Sequence, residues 1–176
     1  MIYCFFAAAL PTITPGTIPP FSVAEFDAMA EEELSAADFA KMISWDDAGN
    51  KKVPDVYKEM RRFDAFLSWR IAQLRAERAG ITQEFTEPDE NYSEIDFVMP
   101  SAASSTIPAE REEMIDMLRW KKMDELEVCH DFDVTHFCIY RLRLLAMEKF
   151  LHRAANDGRT VFGQLVDKLD PAQMKQ

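Results

Sequence analysis

The chain has 176 residues, 48% of them hydrophobic, with 31 acidic against 20 basic side chains and a formal charge of −11. That length supports one cooperative domain with its own core. The acidic balance argues against nucleic-acid binding and against anionic membrane surfaces, both of which require a cationic face. Cys4, Cys129 and Cys138 are an odd set without a CxxC pair, so they suggest neither a disulfide framework nor a zinc knuckle and fit a reducing compartment.

The first ten residues, MIYCFFAAAL, are almost wholly apolar. They lack the basic n-region of a secretory signal, since the first lysine is Lys41, and the run ends at Pro11, far short of the ~20 residues that cross a bilayer. The expectation is a buried N-terminus, extended or a short strand over residues 2–8, with Tyr3, Phe5 and Phe6 in the core of a cytoplasmic protein that does not insert directly into a membrane. A signal segment is the alternative. Residues 11–20 hold four prolines and a glycine and should form an extended connector.

Ser22-Val-Ala-Glu25 is a capping box that predicts a short helix, with Phe21 stapled on Phe26. Ser35-Ala-Ala-Asp38 repeats the signal and predicts a second helix to about residue 44, carrying Leu34, Phe39, Met42 and Ile43 on its apolar side. Pro54 and Gly80 bracket the longest helix, over residues 54–79. In it Tyr57, Met60, Leu67, Ile71 and Leu74 follow helical spacing, while Phe63, Phe66 and Trp69 widen the stripe toward a second contact face.

Residues 81–107 contain Pro88, Pro100 and small polar residues, and are expected to form a long acidic loop, tied down in part by Phe85, Tyr92, Ile95, Phe97 and Val98. Pro108 opens a helix to about residue 129, with Glu110, Glu112 and Glu113 at its positive end. Asp131 or Asp133 caps the next helix, in which Val134, Phe137, Ile139, Leu142, Leu144, Leu145, Met147, Phe150 and Leu151 occupy nearly all sides; it should be the buried axis. Asn156-Asp-Gly158 breaks it, and residues 160–169 predict a last amphipathic helix. The fold class is all-α: a single domain over residues 1–176, an antiparallel bundle of about six helices.

The densest cluster of liganding side chains lies at 124–136. Within it Glu127-x-x-His130 has the spacing used by di-iron carboxylate bundles, and Asp133-x-x-His136 looks like a second copy. Such sites draw their motifs from separate helices, whereas both pairs here flank one helix–helix junction. The first expectation is therefore no metal and no cofactor, with acids serving a helix N-terminus and the histidines paired to carboxylates. Glu127, His130, Asp133 and His136 are the ligand set of the alternative, a metal-dependent helical enzyme. Cys129 and His130 are adjacent, hence about 100° apart on a helix, and cannot act as nucleophile and base. No GxxxxGK[ST], GxGxxG, GxSxG or HExxH occurs, so no catalytic residue is assigned.

Charge is unevenly spread. Residues 54–79 carry a net of +2, and residues 81–116 set ten acids against Arg111, a net of −9. Either the acidic stretch folds back over the arginines, or it is a docking edge for another protein. The residues expected to meet a partner are Arg70, Arg75 and Arg78 on the long helix, with Glu87, Asp89 and Glu90 in the acidic segment.

Three stretches, in order, resemble an uncharacterised bacterial family whose genes sit among those for V/A-type ATP synthase subunits. They are YCFFAAALPTI followed by PPFSVAEF, WRIAQLRAERAG, and MDELEVCHDFDVTHFCIYRLRLLAMEKF. The resemblance implies a non-catalytic accessory part of the rotary ATPase, in the place of the helical socket that joins the membrane ring to the central axle of the stalk. Such a part is peripheral to the membrane and bound to the other ATPase subunits. Classical socket chains are longer and repetitive, and this chain is neither. A free-standing helical adaptor differs from this reading only in its partner.

Overall fold

Apolar residues recur at helical spacing along every long segment, and helix-on-helix packing is the way such stripes are buried. The computed structural model describes residues 3–46, 53–82 and 86–155, which contain seven α-helices and no strand. In chain order these are α1 (Cys4–Ala9), α2 (Val23–Glu33), α3 (Ala36–Ile43), α4 (Asp55–Ala79), α5 (Ser93–Ser104), α6 (Pro108–Glu127) and α7 (Val134–Ala155), with a 3-10 turn Ser44–Asp46 after α3. Among the described residues no helix is long and apolar enough to cross a membrane.

The local signals set most boundaries. Ser22 accepts from the Glu25 amide while Glu25 reaches back to the Ser22 amide, closing the capping box of α2. Ser35 caps α3 through the Asp38 amide. Gly80 ends α4 in the left-handed conformation, φ 66°, which a residue without a Cβ adopts freely. Phe21 stacks on Phe26 at 6.2 Å, as the staple requires.

Two expectations are corrected. The N-terminus is neither extended nor a strand: residues 4–9 form α1, because the alanine run favours helix and the described residues contain no strand for it to pair with. One consequence is that Phe5 and Phe6 point about 100° apart: Phe6 is buried, whereas Phe5 is 94% exposed and not in the core. Nor is 81–107 one long loop, since α5 occupies its second half. Pro100 lies inside that helix and has no N–H to offer the Asp96 carbonyl. Ile95, Met99 and Ala102 nevertheless recur at helical spacing and are fully or almost fully buried, and that packing outweighs the lost bond. Seven helices therefore stand among the described residues where about six were expected. The helix expected over 160–169, like Phe85, lies outside those residues.

Two apolar clusters share α4. Its first half gives Val56, Tyr57 and Met60 to a cluster with α1, α2, α3 and α7, and its second half gives Phe63, Phe66 and Leu67 to one with α5 and α6. α7 lies at the centre of the first cluster, packed on α2, α3, α4 and α6. Phe137 is fully buried, stacked on Phe6 at 4.9 Å and edge-on to Tyr3 at 5.7 Å. Phe6→Ala is expected to cost about 3–4 kcal/mol and Phe5→Ala no more than about 0.5. Urea unfolding of the two variants measures this, and equal losses would contradict the placement of α1.

Candidate functional site

The 124–136 cluster forms at the junction of α6 and α7. α6 stops at Glu127, Cys129 takes a left-handed φ of 70°, and the His130 amide returns to the Glu127 carbonyl at 2.8 Å. Asp133, not Asp131, caps α7: its Oδ1 accepts from the amides of Thr135 (2.8 Å) and His136 (3.3 Å). The other carboxylate oxygen of Asp133 holds His130 Nδ1 at 2.7 Å. Glu127 faces two side chains of α7, with His136 Nδ1 2.9 Å from Oε1 and Arg143 2.6 Å from Oε2. The His136 contact is an ion-pair distance lying off the axis that a hydrogen bond requires. Arg143 also reaches Asp124 at 2.6 Å and lies over the Trp120 ring, 5.5 Å from its centre.

The four candidate ligands thus divide into two pairs, His130 with Asp133 and Glu127 with His136. A guanidinium occupies the open side of the second. Among the described residues no group of three or more histidine, cysteine, aspartate or glutamate side chains is arranged to hold a metal ion. What the junction can do is lock two helices at a fixed angle. Burial pushes the Glu127 carboxyl up, but His136 and Arg143 together pull it further down, leaving it below the usual carboxylate value. Asp133 behaves likewise, with burial opposed by the hydrogen bonds from His130 and the α7 amides. Cys138 is fully buried, and its thiol is pushed up to about 12 by that burial, so it is protonated at neutral pH.

The charged edges also prove partly internal. Arg70 Nε lies 2.8 Å from Asp96 of α5, and Arg62 joins Glu90 at 3.2 Å, so the acidic segment folds back along α4. Tyr92 donates to Glu90 and Glu59, and Lys122 of α6 approaches Glu59 at 3.5 Å. Of the residues expected to meet a partner, Arg70 and Glu90 are therefore engaged within the chain. Arg75, Arg78, Glu87 and Asp89 are exposed.

A different surface emerges on α6. Met114, Met117, Leu118 and Trp120, with Val98 of α5, line an apolar groove rimmed by Glu110, Glu113, Lys121 and Asp124. Glu113, Met117 and Trp120 also line a second groove, toward Met147 and Phe150 of α7 and the Pro15–Gly16 connector. Met117 is 48% exposed and Phe150 40%. The sequence carries a signal for this surface: Met114 and Met117 lie beside the buried Ile115 and Leu118, giving α6 more apolar faces than one core contact needs.

Fold and site together describe a helical protein whose titratable side chains brace helix junctions, with an acid-rimmed apolar groove beside the exposed Met117. Residues 73–172 match the family described as protein of unknown function, DUF2764, and the chain belongs to that family. The matched region takes in all of MDELEVCHDFDVTHFCIYRLRLLAMEKF and the end of α4, while the YCFFAAALPTI stretch lies outside it. No curated protein and no solved structure matches the chain.

Because the folded Glu127 carboxyl titrates below its unfolded value, its contribution is complete above about pH 4.5 and is lost as pH falls through the folded value. Glu127→Gln should cost about 1–3 kcal/mol at neutral pH and should flatten the acid loss below pH 4.5. Urea midpoints across that range provide the check; a variant as acid-labile as the parent would contradict the pairing.

Proposed function

We propose that the chain is a non-catalytic accessory subunit of a V/A-type rotary ATPase, docked on a neighbouring subunit through the outer face of α6. The observation that carries the docking role is the exposed Met117 over a groove lined by Met114, Leu118 and Trp120 beside a rim of Glu110, Glu113 and Asp124. A thioether lining adapts to a partner's shape, and a groove along a helix suits an amphipathic helix laid into it. Three acids against Lys121 select a partner helix with a basic flank. The three ordered stretches that resemble the ATPase-associated family supply the identity of the complex. In that role the protein transmits force or holds subunits together and performs no reaction, in keeping with histidines and acids spent on internal pairs.

Affinity purification of the tagged protein from gently cross-linked source membranes tests the reading. ATPase subunits should be recovered with the parent protein and lost, about tenfold or more, with Met117→Asp, which places a charge in the apolar contact. Glu31→Lys, a charge reversal on exposed α2, should leave recovery unchanged. Recovery of no ATPase subunit, or recovery indifferent to Met117→Asp, would overturn it.

A further inference from the structure

The arginines of this acidic chain are mostly matched to carboxylates: Arg62, Arg70, Arg119, Arg143 and Arg153 each form ion pairs. Arg75, Arg78 and Arg111 depart from that pattern, and they meet at one place. Arg75 and Arg78 near the end of α4 and Arg111 in the first turn of α6 line a pocket whose floor is Ile71, Leu74, Met99 and Ile115. Among the described residues no carboxylate lies within ion-pair distance of any of the three, in a chain with 31 acids. Arg78 donates to the Ala103 carbonyl at 3.3 Å and Arg111 to the Ser105 carbonyl at 3.1 Å, so the end of α5 fixes both guanidiniums. Arg75 is exposed and makes no hydrogen bond or ion pair with the described residues. The Nε of Arg111 is buried without any hydrogen-bond partner.

Three unneutralised guanidiniums at one opening repel one another, and a buried guanidinium N–H without a partner is costly. A negatively charged oxygen in the pocket relieves both, since planar guanidinium forks match carboxylate and phosphate oxygens. We infer that Arg75, Arg78 and Arg111 form an oxyanion-binding site, separate from the α6 groove. Its apolar floor suits an anion carried on a short aliphatic group, and its three cations suit free phosphate.

Titration of the full-length protein, followed through the Arg Nε–H resonances in nitrogen-correlated NMR spectra, provides the test. Inorganic phosphate and butyrate are the two probes. At least one is expected to shift the Arg111 Nε–H signal saturably, and the tighter probe tells whether the oxyanion is a phosphate or an aliphatic carboxylate. Arg75→Gln should weaken binding about tenfold, the loss expected for one charge-assisted contact. That substitution removes no bond within the protein, so folding is not at issue. Arg62→Gln makes the same charge change about 20 Å away along α4 and should leave binding unaltered. No saturable shift with either anion, or equal weakening by Arg75→Gln and Arg62→Gln, would overturn the assignment.

Discussion

Helix α7 cannot be left at a surface on any side over its central turns. Residues 137 to 142 are all buried, Phe137 through Leu142, and successive helical residues are 100° apart, so six in a row cover the whole circumference. Burying each large apolar side chain contributes about 1.5–3 kcal/mol, which makes enclosing this helix the dominant packing demand on the chain. Elements α2, α3, α4 and α6 form its walls, and α1 closes the gap with Tyr3 and Phe6. α7 also carries a charge into this environment: Arg141, 5% exposed, meets Asp27 of α2 through two hydrogen bonds at 2.8 and 3.0 Å. A charge so placed is tolerable because its geometry is bidentate.

The polar residues around that axis follow from the same demand. Tyr3 donates to Asp38 at 2.8 Å and accepts from the Ser35 amide, tying α1 to the start of α3. Tyr57 donates to the Met42 carbonyl, and Tyr140 to the Pro11 carbonyl at 2.9 Å. Glu148 accepts from the Val23 amide at 2.8 Å, fastening α2 to α7. Histidines, tyrosines and acids that could serve chemistry elsewhere are here spent on holding walls to an axis. α6 is the wall with two apolar sides: Ile115 and Met123 are buried against its neighbours, while Met114, Met117 and Leu118 line the outer groove. The outer groove therefore arises from a helix that packs inward on its neighbours and still carries an exposed apolar residue, Met117, outward.

Features governed by local chemistry were legible in the sequence. Ser22 with Glu25, Ser35, Pro108 and Gly80 mark element ends through bonds made within a few residues, and the all-round apolar character of 134–151 marks the axis. Features decided by long-range packing were not. α5 is obscured by Pro100 and its run of small residues, yet Tyr92, Ile95 and Met99 find cover against α4 and α6. α1 is too short to show a periodicity, so the separation of Phe5 from Phe6 could not be read. The pairing of His136 with Glu127 and of Arg70 with Asp96 depends on helix orientation, which residue spacing alone does not express. Arg111 had no visible role until α5 brought it beside Arg75 and Arg78.

The central claim is that the chain acts by contact through the outer face of α6 while its interior stays closed. Amide hydrogen exchange measured on the free protein, and again after addition of detergent-solubilised V/A-type ATPase from its source, addresses this directly. The account predicts new protection over residues 108–124 and unchanged, slow exchange in α7. Protection confined to the 124–136 junction, or none at all, would contradict it.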